Sequence, residues 1–70
     1  MLEKNVAFNV EGIVNEDTSD IIKNAVEQLN GILEVSVYPE TKRVTVEFDE
    51  ERLSEETIKG TIEDAGFIVR

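Results

Sequence analysis

Val6-Ala7-Phe8-Asn9-Val10-Glu11-Gly12-Ile13-Val14-Asn15-Glu16-Asp17-Thr18 decides the fold, because the hydrophobic period of the chain changes across it. Val6, Phe8 and Val10 alternate with Ala7, Asn9 and Glu11, which puts one face of an extended segment in a core and the other in solvent. The alternation predicts a strand over Asn5 to Glu11, ended by Gly12. Past the loop, Ile22, Ala25, Val26 and Leu29 recur at intervals of three and four residues, the stripe of an amphipathic helix. Asp17 and Thr18 are candidate caps, so this helix is expected from Thr18 or Ser19 to Leu29.

Working outward, Asn30-Gly31 closes the helix, since glycine accepts the left-handed conformation needed just past a helical end. A second strand follows at once. Its alternation points Leu33, Val35 and Val37 inward and Glu34 and Ser36 outward, and Tyr38-Pro39-Glu40-Thr41 turns the chain. Val44, Val46 and Phe48 define a third strand over Arg43 to Asp49, and the short link makes the pair an antiparallel hairpin. Ser54 caps a second helix over Glu55 to Ala65, with Leu53 placed to staple onto Ile58. Ile58, Thr61, Ile62 and Ala65 mark its inner face. Gly60 weakens it by up to about 1 kcal/mol relative to alanine unless close backbone packing requires a glycine there. Gly66 stops the helix, and Phe67 to Arg70 reads as a short last strand.

The order strand, helix, strand, strand, helix, strand predicts an α+β ferredoxin-like sandwich. In it a four-stranded antiparallel sheet carries both helices on one face. Residues 1–70 are expected to form one domain, with no linker or low-complexity segment.

The chain has no cysteine and no histidine, which removes disulfides and makes a structural zinc implausible, so packing alone must hold it. Sixteen acidic residues against seven basic ones give a formal charge of −9, which repels phosphate backbones and anionic headgroups and argues against nucleic-acid or membrane partners. No apolar run approaches the about 20 residues needed to span a bilayer, and the expectation is a soluble, cytoplasmic protein. Catalysis finds no support: thiol and imidazole are absent, and no serine or threonine sits in a nucleophile motif. A paired-carboxylate hydrolase needs a cleft that a two-layer domain of this size hardly offers. A non-enzyme is expected.

Phe8-Asn9-Val10-Glu11-Gly12, Leu29-Asn30-Gly31-Ile32, Val35-Ser36-Val37, Val44-Thr45-Val46-Glu47-Phe48-Asp49 and Ile62-Glu63-Asp64-Ala65-Gly66-Phe67 together resemble the heavy-metal-associated domain family. That is the fold of small copper chaperones and of the amino-terminal repeats of heavy-metal P-type ATPases. In the register of this resemblance, Ile13 and Val14 replace the methionine and threonine of the family's Gly-Met-Thr-Cys-x-x-Cys loop. Asn15 and Thr18 stand where its two ligand cysteines do. Cu(I) selects sulfur, and neutral carboxamide and hydroxyl oxygens are poor donors for it, so no soft metal is expected at these degenerate positions.

Glu16, Asp17 and Asp20 are weak candidates for a hard cation. A calcium loop beginning at Asn15 would need its turn glycine at Asp20 and its bidentate glutamate at Val26, and helix capping accounts for the cluster better. No cofactor is expected. The resemblance implies a binding module that docks to a protein partner in metal transport or homeostasis, such as a heavy-metal P-type ATPase or its metal-binding domain. The docking loop would comprise Ile13, Val14, Asn15, Thr18 and Phe67, on a monomer or weak dimer. Ile13 and Phe67 would serve mainly as packing. The alternative is a metal-ion carrier that uses oxygen ligands or a site shared between two chains.

Overall fold

A computed structural model describes residues 2–70. The elements run β1 (Glu3–Glu11), α1 (Glu16–Glu27), β2 (Ile32–Tyr38), β3 (Arg43–Asp49), α2 (Glu55–Asp64) and β4 (Ile68–Val69). The strands lie in the order β2-β3-β1-β4, every neighbour antiparallel. This is the ferredoxin-like arrangement expected from the alternation of periods.

The core lies between the helices and one face of the sheet. Phe8 and Val10 of β1, Val35 of β2 and Val44, Val46 and Phe48 of β3 meet Ile22 and Val26 of α1 and Ile58 and Ile62 of α2, all at most 6% exposed. Residues two apart on a strand share a face, and residues three or four apart on a helix share a stripe, so the two patterns close on each other. Leu53 and Ala65 pack at the rim of the same cluster. Ser54 caps α2, accepting from Thr57 N at 3.2 Å.

Four elements have boundaries that differ from the sequence expectation, α2 only by ending at Asp64, one residue short. β1 begins at Glu3, because Asp49 extends the pairing with β3 that far. β4 keeps only two paired residues, opposite Val10 and Glu11. α1 starts at Glu16 and ends at Glu27, and its cap is Asn15 rather than Asp17 or Thr18.

Leu33 is the clearest correction, being 41% exposed rather than inward. Ile32 pairs with Phe48 and Glu34 with Glu47, so an extra residue on β2 breaks the register between them. At such a bulge the alternation of faces resets. Ile32 therefore packs on the core, Leu33 turns out, and Val35 returns to the inside.

At the same end of the domain, Asp49 is buried at 5% exposure. Its Oδ1 accepts from Leu2 N at 3.3 Å and Glu51 N at 3.0 Å, and its Oδ2 lies 3.5 Å from Arg52 Nε. One carboxylate thus fastens the start of β1 to the turn between β3 and α2. No helix among the described residues is long and apolar enough to cross a membrane.

Candidate functional site

The loop between β1 and α1 is built from its floor upward. Gly12 takes φ +102°, and a Cβ there would come within 3.1 Å of Phe67 Cδ1, so only glycine lets the chain pass so close over that ring. Ile13 then dives into the core and is 1% exposed. Burying such a side chain contributes about 1.5–3 kcal/mol, which pins the loop against swinging outward. Val14 points the other way and is 75% exposed.

Asn15 follows in extended geometry as the N-cap, and Thr18 is the third helical residue. The two form a reciprocal capping box. Asn15 Oδ1 accepts from Thr18 N at 2.9 Å. Thr18 Oγ1 accepts from Val14 N at 3.0 Å and from Asn15 N at 3.1 Å. Its own proton goes to the main-chain oxygen of Asn15 at 2.8 Å, or alternatively to Asn15 Oδ1 at 3.2 Å. Ser19 adds a hydroxyl bond to the same main-chain oxygen at 3.2 Å.

These bonds settle what the arrangement can hold. A hydroxyl has one proton and two acceptor sites, and all three are engaged at Thr18. A metal ion would have to break the cap to reach that oxygen, and the donors it found would be neutral oxygens. The residues present do not fit a soft metal.

Glu16 and Asp17 occupy the first turn of α1, where carboxylates interact favourably with the helix amino terminus. Asp20 is exposed one turn on. Among the described residues no three acidic side chains converge into a metal-holding group. At the other side of the loop, Arg70 Nε donates to Glu11 Oε2. That hydrogen bond, and then the guanidinium charge, hold the Glu11 carboxyl below its ordinary range and raise the Arg70 guanidinium.

The residues named for the loop from sequence divide between core and surface. Ile13 and Phe67 lie in the core and support the loop from below. Val14 and Asn15 face solvent, and Thr18 lies between the two. Ser19, which alternates with Asn15 and Asp17 as the first ligands of a calcium loop do, instead donates its hydroxyl proton to the cap carbonyl four residues back.

The site is a glycine-led loop running from the first strand into the first helix of a two-layer α+β domain. The chain belongs to the heavy-metal-associated domain family, whose profile matches residues 7–67. The copper chaperone CopZ of Staphylococcus haemolyticus is 35% identical over 66 residues, covering 94% of this chain and 97% of that protein. Among solved structures, a copper-binding domain from HMA7, a P-type ATPase, superposes with a TM-score of 0.90 at 33% identity, over 94% of this chain and 89% of that one. A CopZ metallochaperone superposes with a TM-score of 0.93 at 25% identity, over 96% and 100%. The domain is thus related both to copper chaperones and to metal-binding domains of P-type ATPases, and it lacks the cysteine ligands of its family's loop.

Proposed function

We propose that this domain, taken as one unit over residues 1–70, is a non-enzymatic docking module of metal transport or homeostasis that works in the cytoplasm without holding a thiolate-bound ion. Its partner in this reading is a heavy-metal P-type ATPase or the metal-binding domain of one, and the domain itself is a monomer or at most a weak dimer. The observation that carries it is the capping box at the two ligand positions, which orders the loop through the chain's own hydrogen bonds. A loop ordered this way is ready to dock whether or not metal is present, with Val14 at its exposed tip.

Calorimetric titration against the isolated metal-binding domain of such an ATPase tests this, run with and without Cu(I) under anaerobic conditions. Metal-independent association that weakens on Val14→Asp supports the reading. Absence of association with any such domain counts against it. A companion variant carrying Asn15→Cys and Thr18→Cys should gain about one equivalent of Cu(I) against a competing chelator while the unmodified chain retains none.

The competing reading is a metal-ion carrier using oxygen ligands or a site shared between two chains, and the copper-chaperone relatives favour it. It predicts a metal-dependent dimer, or tight binding of a hard cation that shifts the resonances of Asn15, Asp17 and Asp20. Sedimentation and NMR titration with each ion separate the two.

A further inference from the structure

The two edges of the sheet are unequal. β4 pairs over only two residues, too short to template another strand, whereas β2 has seven. Edges are usually guarded by shortness, proline, lysine or a bulge. On β2 the bulge sits between Ile32 and Glu34, and from Glu34 to Tyr38 the strand pairs with β3 residue for residue. Val35-Ser36-Val37-Tyr38 carries no charge and no proline. Its outer main-chain donors and acceptors lie beyond the last strand of the sheet.

Alongside this edge runs a groove of about 610 Å³ between β2 and α1. Val35, Val37 and Tyr38 line one side, while Glu16, Asp20 and Lys23 line the other. Glu16 and Asp20 are four residues apart, one above the other on the helix. The groove therefore offers apolar contacts, a free strand edge and a net negative wall in one place.

We propose that β2 takes an extended segment of a partner protein, with alternating apolar and cationic side chains, as a fifth strand. The segment's main chain pairs with Val35 to Val37; its lysines or arginines, on the face turned to α1, reach Glu16 and Asp20, and its apolar side chains, on the opposite face, lie beside Ser36 and the exposed Tyr38. A second copy of this chain is the poorer occupant, because each copy carries a charge of −9 and the same acidic wall. The groove excludes the exposed loop tip Val14 but adjoins the cap of α1, since Asn15 and Ser19 also line it.

The probe is an acetylated Lys-Val-Lys-Val-Lys-Val amide peptide titrated into isotope-labelled protein, beside the same peptide N-methylated at every residue and a Glu-Val counterpart. The unmethylated cationic peptide should shift the β2 amides and slow exchange of those facing outward, and the other two should do neither. Glu16→Lys with Asp20→Lys should weaken its binding by about tenfold or more, and Glu55→Lys with Glu56→Lys, an equal charge change at the start of α2, by less than about twofold. Equal weakening by the two variant pairs, equal binding of the methylated peptide, or shifts scattered over the surface without β2 overturns the proposal. So does concentration-dependent pairing of β2 with itself in the free protein.

Discussion

Replacing Asn15 by alanine and Thr18 by valine, singly and together, measures what the sealed loop contributes to stability. Asn15→Ala deletes the acceptor that holds Thr18 N at 2.9 Å. Loss of an N-cap side chain costs about 0.5–2 kcal/mol, typically about 1. Thr18→Val keeps the shape but removes the acceptor for Val14 N and Asn15 N and the donor to the Asn15 carbonyl. Each such bond is worth about 0.5–1.5 kcal/mol net, yet the site is exposed, so water re-satisfies the freed amides. The expected loss is again about 1 kcal/mol and not three times that. Both side chains hold one turn, so the double variant should lose about 0.5 kcal/mol less than the sum. For a chain of this length each kcal/mol lowers the melting temperature by about 4–8 °C. Thermal and urea unfolding followed by circular dichroism give the three differences. A double variant melting within about a degree of the parent would refute the view that the box orders the loop.

Gly60 has nothing within 4 Å of the place a Cβ would occupy, so no packing requires glycine there, and Gly60→Ala should stabilise by about 0.5–1 kcal/mol in urea unfolding. The bulge on β2 sets Glu34 directly opposite Glu47, and Glu34→Lys should stabilise by about 0.2–1 kcal/mol at low salt, less as salt rises. Asp49→Ala should destabilise by about 1–3 kcal/mol, because the amides of Leu2 and Glu51 lose a partly buried acceptor, and hydrogen exchange should quicken first at the start of β1. Glu11 has a lowered pKa in the folded state, so its contribution is present above the unfolded value and is lost as pH falls through the folded one. Its carboxyl resonance should titrate below the ordinary glutamate range, and Arg70→Gln should raise it toward that range.

The fold was legible because each element announces its period over several residues: Val6, Phe8 and Val10 for β1, Ile58 and Ile62 for α2. What escaped were features that depend on a single residue's geometry. Leu33 falls on the same alternation as Val35 and Val37, and only the pairing of Ile32 with Phe48 reveals that the chain slips by one residue. Two adjacent apolar residues, Ile32 and Leu33, were the available hint. Asp49 is one of sixteen acidic residues, and nothing local marks it as the one whose neighbours fold over it. The cap of α1 is hidden for a different reason. A capping box is usually read from glutamate or glutamine at the third helical position, and here Thr18 plays that part, so Asp17 and Thr18 looked like caps themselves.

The position of that cap bears on the proposed function, because in the register of the family resemblance its two residues stand where the two ligands do. Two cysteines in these places would supply sulfur but only weak hydrogen-bonding groups, since a thiol is a poor donor and acceptor. Asparagine and threonine do the reverse: they satisfy the orphan amides at the start of α1 and offer nothing to a soft ion. The substitution is therefore more than loss of a site. The loop is one that its own side chains close, with Gly12, Ile13 and Phe67 packed beneath it. A domain relieved only of its ligands would leave the amides at that helix end to water. Here Val14, Asn15 and Thr18 each have a partner for theirs within the chain, so the loop is ordered without an ion.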